Sequence, residues 1–164
     1  MNRVYQELAE RIRGEVSDLA RVIERALRSW SGGQRLPGER DVYLESVALN
    51  LHGFYSGLER LFELIARHVD RALPAGEGWH HDLLQQMSRE IAETRPAVIS
   101  PESASRLDEL RRFRHLVRNV YTFNLVPQKM EPLMVALPGL WQQVQAEVSA
   151  FADFLEDLAQ AGPA

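Results

Sequence analysis

The side chains best suited to chemistry crowd into one stretch, RRFRHLVRNVYTF, residues 111–123. It holds four arginines, a histidine, an asparagine and a tyrosine, and no acid. At about 100° per residue, Leu110, Phe113, Leu116, Val117, Val120 and Phe123 fall on one side of a helix. Arg111, Arg114, His115, Arg118, Asn119, Tyr121 and Thr122 fall on the other. One face is built for a core and the other for hydrogen bonding to anions. Arg114 and Arg118 stand one turn apart, where like charges repel slightly. A guanidinium is a fixed fork matched to phosphate or carboxylate. Two readings follow: an external anion, either a phosphate backbone or a carboxylate cluster of another helix or subunit, or acids of the same fold that pair with these arginines. The charge pattern is equally compatible with both.

Arg114, four residues, Asn119, one residue and Tyr121 resemble the arginine, four residues, histidine, one residue, tyrosine motif of the HepT-like HEPN ribonucleases. Asn119 stands where that family has its catalytic histidine. The likeness extends through RHLVRNVYTFNL, NLHGFYSGLERLFELIA and the closing FADFLEDLA. It implies an HEPN-like fold and metal-independent RNA cleavage, with transfer RNA among the targets. In that chemistry the 2′-hydroxyl attacks the adjacent phosphate, a histidine moves protons and an arginine stabilises the developing charge. The resemblance gives the arginine role to Arg114 and the histidine position to Asn119, with Arg111, Arg118 and His115 available to hold phosphate. It also implies a homodimer whose paired motif helices line one cleft, no cofactor and no metal. Its expected partners are RNA and a minimal nucleotidyltransferase antitoxin of the MntA type, which would attach AMP at Tyr121. Without the family, Tyr121 reads as a packed ring whose hydroxyl finds a nearby acceptor.

An amide cannot shuttle protons near neutral pH, and general acid–base catalysis contributes about 10²–10⁴ in rate. The expected nuclease is therefore weakened or inactive. Asn119 is explained by natural degeneration, by a substitution that disarms a toxin, or by His115 serving as base from about 40° around the helix. The alternative function is a non-catalytic HEPN-fold module whose arginine face binds RNA, a nucleotide or an acidic protein.

The rest of the chain must position this stretch. At 164 residues it is expected to form one helical domain over 1–160, with a frayed tail at 161–164. The absence of cysteine excludes disulfides, thiolate metal sites and cysteine nucleophiles. With no apolar run near the roughly 20 residues that span a bilayer and no secretory h-region, a cytoplasmic protein is expected. A net charge of −4 argues against nonspecific polyanion binding by the whole surface, so any RNA contact must be a local patch.

The periodicity predicts an all-α antiparallel bundle of four long helices and one short one. The first helix is expected over Asn2–Trp30 and is stopped by SGGQRLPGER, residues 31–40. The second, Asp41–Val69, carries Val42, Leu44, Val47, Leu49, Leu51, Phe54, Leu58, Leu61, Phe62, Ile65 and Val69 as core candidates. Gly53 and Gly57 are expected to admit a neighbouring backbone. A short helix from His80 to about Thr94 follows; His80 and His81 are adjacent and diverge, which makes a poor chelate and suggests solvated or capping roles. Val98 and Ile99 are expected to plug the core. Ser100, Pro101 and Glu102 read as an N-cap, a first-turn proline and first-turn negative charge for the motif helix. The last helix, about Gln128–Gln160, is expected to bend or break near Pro138.

Overall fold

A computed structural model of the chain describes residues 2–119 and 125–162, with no side-chain description for residues 2 and 115–119. Five α-helices follow in order: α1 (Asn2–Arg35), α2 (Arg40–Ile65), α3 (Trp79–Met87), α4 (Pro101–Asn119) and α5 (Pro127–Ala161). Among the described residues the only β-type pairing is an isolated bridge between Ile91 and Arg95. No helix among them is long and apolar enough to cross a membrane.

Of the apolar positions that recur every three or four residues along α1, Leu8, Ile12, Val16, Leu19 and Ile23 are buried, with Ala26 beside them; Leu27 and Trp30 are partly buried and Val4 is exposed. α1 packs along both α2 and α5. Its direction relative to each follows from individual contacts. Ser29 near its end meets Ser46 near the start of α2, their hydroxyl oxygens 2.7 Å apart. Arg13 near its start bonds Asp153 and Glu156 near the end of α5, at 2.5 and 3.0 Å. Both neighbours therefore run antiparallel to α1. Phe54 and Trp141 meet nearly perpendicular, edge to face, with ring centroids 5.5 Å apart, and join α2 to α5.

α1 continues through the glycines expected to stop it and ends at Arg35. A Cβ on Gly32 would lie 2.5 Å from Tyr43 Cε1, so glycine here is what allows the Tyr43 ring to lie against the last turn of α1. The reversal is confined to Leu36 and a 3₁₀ turn over Pro37–Glu39, where proline removes the next amide donor. The same logic holds at Gly57, whose added Cβ would come 2.9 Å from Leu19 Cδ2. Gly53 faces open space, contrary to the packing expected of it.

α2 buries a wide face, as its composition predicts, but Val42 and Leu49 are exposed rather than part of the core. A π-helical turn, Ala66–Asp70, closes the second helix and ends at Arg71 in a left-handed conformation, φ 55°. α3 stops at Met87, seven residues short of the predicted Thr94. The Met87 carbonyl accepts from Val98 N at 2.9 Å and Ile99 N at 3.2 Å, which folds the following loop back across the core. Val98 and Ile99 are buried there, as expected.

Arg95 organises that loop. Its guanidinium grips Asp70 through Nε at 2.5 Å and Nη2 at 2.7 Å, and donates to the carbonyls of Arg89, Pro96 and Gln86 at 3.0–3.1 Å. Gln86 Nε2 adds a 2.7 Å bond to Asp70. Two charges removed from water are thus surrounded by hydrogen-bond partners, the condition under which a buried pair is tolerated.

Ser100 caps α4 as predicted, accepting from Ser103 N at 3.1 Å. Glu147 of α5 accepts from Ser100 N at 2.9 Å and from Ser103 Oγ at 2.5 Å, which fastens the start of α4 to α5. α5 is continuous through Pro132 and Pro138, so the break offered as one alternative at Pro138 does not occur.

Candidate functional site

Ala104, Leu107 and Leu110 of α4 are buried and Phe113 packs against the core, which turns Arg111, Arg112 and Arg114 towards the acids of neighbouring turns and helices. Arg111 Nε lies 2.7 Å from Asp108 Oδ1 and Arg112 Nη2 lies 3.0 Å from Asp108 Oδ2. These are the i,i+3 and i,i+4 neighbours of one helix. Arg114 reaches across to α2, where Nη1 donates to Glu59 Oε1 at 3.1 Å. Its guanidinium carbon sits 5.8 Å from the centroid of the Tyr55 ring. Arg114 Nε is buried and has no acceptor among the described residues. The reading in which acids of the same fold pair with these arginines therefore holds for Arg111, Arg112 and Arg114.

The first turn of α3 completes the cluster. His80 Nδ1 is 2.7 Å from Glu59 Oε2, and the imidazole stacks on Trp79 with ring centroids 3.7 Å apart. His81 Nδ1 is 3.3 Å from Asp108 Oδ1. The divergence predicted for these adjacent histidines is real, but each is aimed at a carboxylate rather than solvent or a helix cap. Glu59 thus joins α2, α3 and α4, one oxygen to Arg114 and the other to His80. Asp108 joins α3 to α4.

Three guanidiniums face two carboxylates, an excess of positive charge before either histidine is counted. Desolvation pushes the Asp108 carboxyl up, but hydrogen bonds from Arg111 and His81, with the charges of Arg111 and Arg112, outweigh it and hold the group below its ordinary value. Burial, reinforced by the Glu59 charge, pushes the Tyr55 phenol well above its ordinary value, so Tyr55 stays protonated.

His115, Arg118 and Asn119 belong to the last turns of α4, and their side chains lie outside the described part of the structure. Tyr121 lies outside the described residues altogether. Tyr55, Glu59, His80, His81 and Asp108 are absent from the sequence-derived site. Asp108 could have been found from its spacing to Arg111 and Arg112. Glu59 had a signal too: it shares a helix face with Tyr55 and Phe62, at i−4 and i+3, so it is an acid on an apolar stripe. Nothing local marks His80 as its partner, 21 residues away.

The family model for HepT-like proteins matches residues 46–155, which take in most of α2, all of α3 and α4, and most of α5. The matched segment includes the whole arginine cluster, both α3 histidines and the 111–123 stretch. No curated protein and no solved structure matches the chain.

Proposed function

Because this chain belongs to the HepT-like protein family, we propose that it is a ribonuclease-type toxin in which the face of α4 holds an RNA phosphate and Asn119 leaves the cleavage step weakened. The observation that carries this reading is the family match across the complete motif stretch, Arg114, Asn119 and Tyr121 included. The cluster chemistry supports it: a partly exposed excess of guanidinium over carboxylate suits a polyanion, and Arg114 is fixed by Glu59 where its permanent charge can stabilise a phosphorane-like transition state.

In this proposal the working unit is a homodimer, since one helix face does not enclose a substrate and a second copy supplies the opposite wall. Tyr121 is the residue to which a nucleotidyltransferase antitoxin transfers AMP, adding bulk and negative charge beside the arginines. Asn119 favours one second reading, a non-catalytic RNA-binding module that uses the same face.

The test is RNA cleavage in EDTA by the parent chain and by Asn119→His, side by side on pooled transfer RNAs. The histidine form is expected to cleave about 10²–10⁴ times faster than the parent. Salt-sensitive RNA binding with no cleavage by either form establishes the binding module instead.

A further inference from the structure

We propose that His80 is the proton-transfer residue of the weakened site, doing from α3 what Asn119 cannot do from α4. The proposal rests on the ribonuclease reading above and adds a catalytic residue to it. Two restraints fix the imidazole: the 2.7 Å contact of Nδ1 with Glu59 Oε2 and the 3.7 Å stack on Trp79. Glu59 is itself held, with its side chain 6 % exposed and its other oxygen bonded to Arg114. An ionised Glu59 selects the tautomer in which Nδ1–H donates, so Nε2 carries the free lone pair. His80 is 30 % exposed, enough to meet a substrate without losing its carboxylate partner. One carboxylate thus positions both a base and the arginine that would stabilise the developing charge.

His81 is held less firmly: its contact to Asp108 is 3.3 Å, it is 47 % exposed, and Asp108 already serves two arginines. The reaction assigned to His80 balances without an added reagent. Nε2 takes the proton of an RNA 2′-hydroxyl, O2′ forms a bond to the adjacent phosphorus and the P–O5′ bond breaks. The departing O5′ takes a proton from water, and the imidazolium gives its proton to the hydroxide so formed. The products are a 2′,3′-cyclic phosphate and a 5′-hydroxyl, with neutral His80 restored.

The deciding experiment measures RNA cleavage and RNA affinity for the parent, His80→Gln, His80→Ala, His115→Ala and His68→Ala, and repeats His80→Gln in the Asn119→His background. Glutamine can still donate to Glu59 but cannot carry a proton. Parent cleavage is expected to fall about 10²-fold in His80→Gln with RNA affinity unchanged, and added imidazole is expected to restore turnover to His80→Ala. His68→Ala keeps the parent rate, and in the Asn119→His background the His80→Gln effect shrinks below about tenfold. Parent-level cleavage by His80→Gln and His80→Ala overturns the role of His80, as does loss in His115→Ala alone. An inactive parent beside an active Asn119→His overturns it too and leaves the ribonuclease reading standing; inactivity of both overturns the two together.

Discussion

Two arginine–carboxylate pairs in this molecule look alike in composition and differ in how completely they are closed. Arg95 and Asp70 have side chains 0 % and 1 % exposed, and Arg95 spends its donors on Asp70 and three backbone carbonyls. Arg114 and Glu59 are 17 % and 6 % exposed, Glu59 is shared with a histidine, and Arg114 Nε has no acceptor among the described residues. The closed pair fixes where a loop turns. The open pair keeps a buried donor without an acceptor among the described residues, on a side chain that is still partly exposed. An unsatisfied buried donor costs about 1–3 kcal/mol, which is the kind of local disadvantage retained where a side chain has another task.

The largest expected effect is at the closed pair. Arg95→Met leaves Asp70 charged and buried, so denaturant unfolding is expected to show a loss of about 3–5 kcal/mol. Arg114→Met is expected to cost less, about 1–3 kcal/mol, because Glu59 keeps His80 as a partner and the unmatched Nε–H leaves with the guanidinium. Under the proposed function, its further cost is expected as weaker RNA binding with a shallower salt dependence. Equal destabilisation by the two substitutions would break the contrast between a closed and an open pair.

Asp108 sharpens it through pH. Its folded carboxyl titrates below the ordinary value, so it adds stability above the unfolded value of about 3.9 that is lost as pH falls through the lower folded value. The stability gap between the parent and Asp108→Asn is therefore expected to be constant near neutrality and to close in that acidic window. A gap that widens on acidification would contradict the arrangement around Asp108. The smallest effect is expected at the surface, where Arg13→Ala removes contacts to Asp153 and Glu156. Exposed pairs of this kind contribute about 0.2–1 kcal/mol, and added salt should erase most of the difference in thermal midpoint.

The same contrast marks what could be read from the amino-acid order. Helical periodicity located most of the buried stripe of α1 and the wide face of α2, because burial repeats every three or four residues. Ser100 and Pro101 announced the start of α4, because capping chemistry is local. The stop placed at residues 31–40 came too early at its first glycines, because Gly32 and Gly33 serve a tertiary contact, the close approach of Tyr43 to the last turn of α1. The overlong α3 failed because the carbonyl of Met87 is claimed by Val98 and Ile99, beyond the reach of a helix-period argument. In the site, the arginine row was legible and its local partner Asp108 lay within reach of a spacing argument, but the pairings between helices were not. Glu59 meets Arg114 across 55 residues and His80 across 21, and only the folded chain brings those separations to hydrogen-bond distance.

Glu59 also shapes how this surface can change by mutation. One carboxylate answers to two side chains on two other helices, so tolerance at positions 80 and 114 is conditional on position 59. In a combinatorial library, replacements at these three positions should survive as matched triples rather than as independent singles. A neutral residue at 59 frees 80 and 114 to drift, whereas an acid at 59 keeps both donors under selection. The site is in that sense a unit of inheritance, and random single substitutions will understate how many sequences can build it.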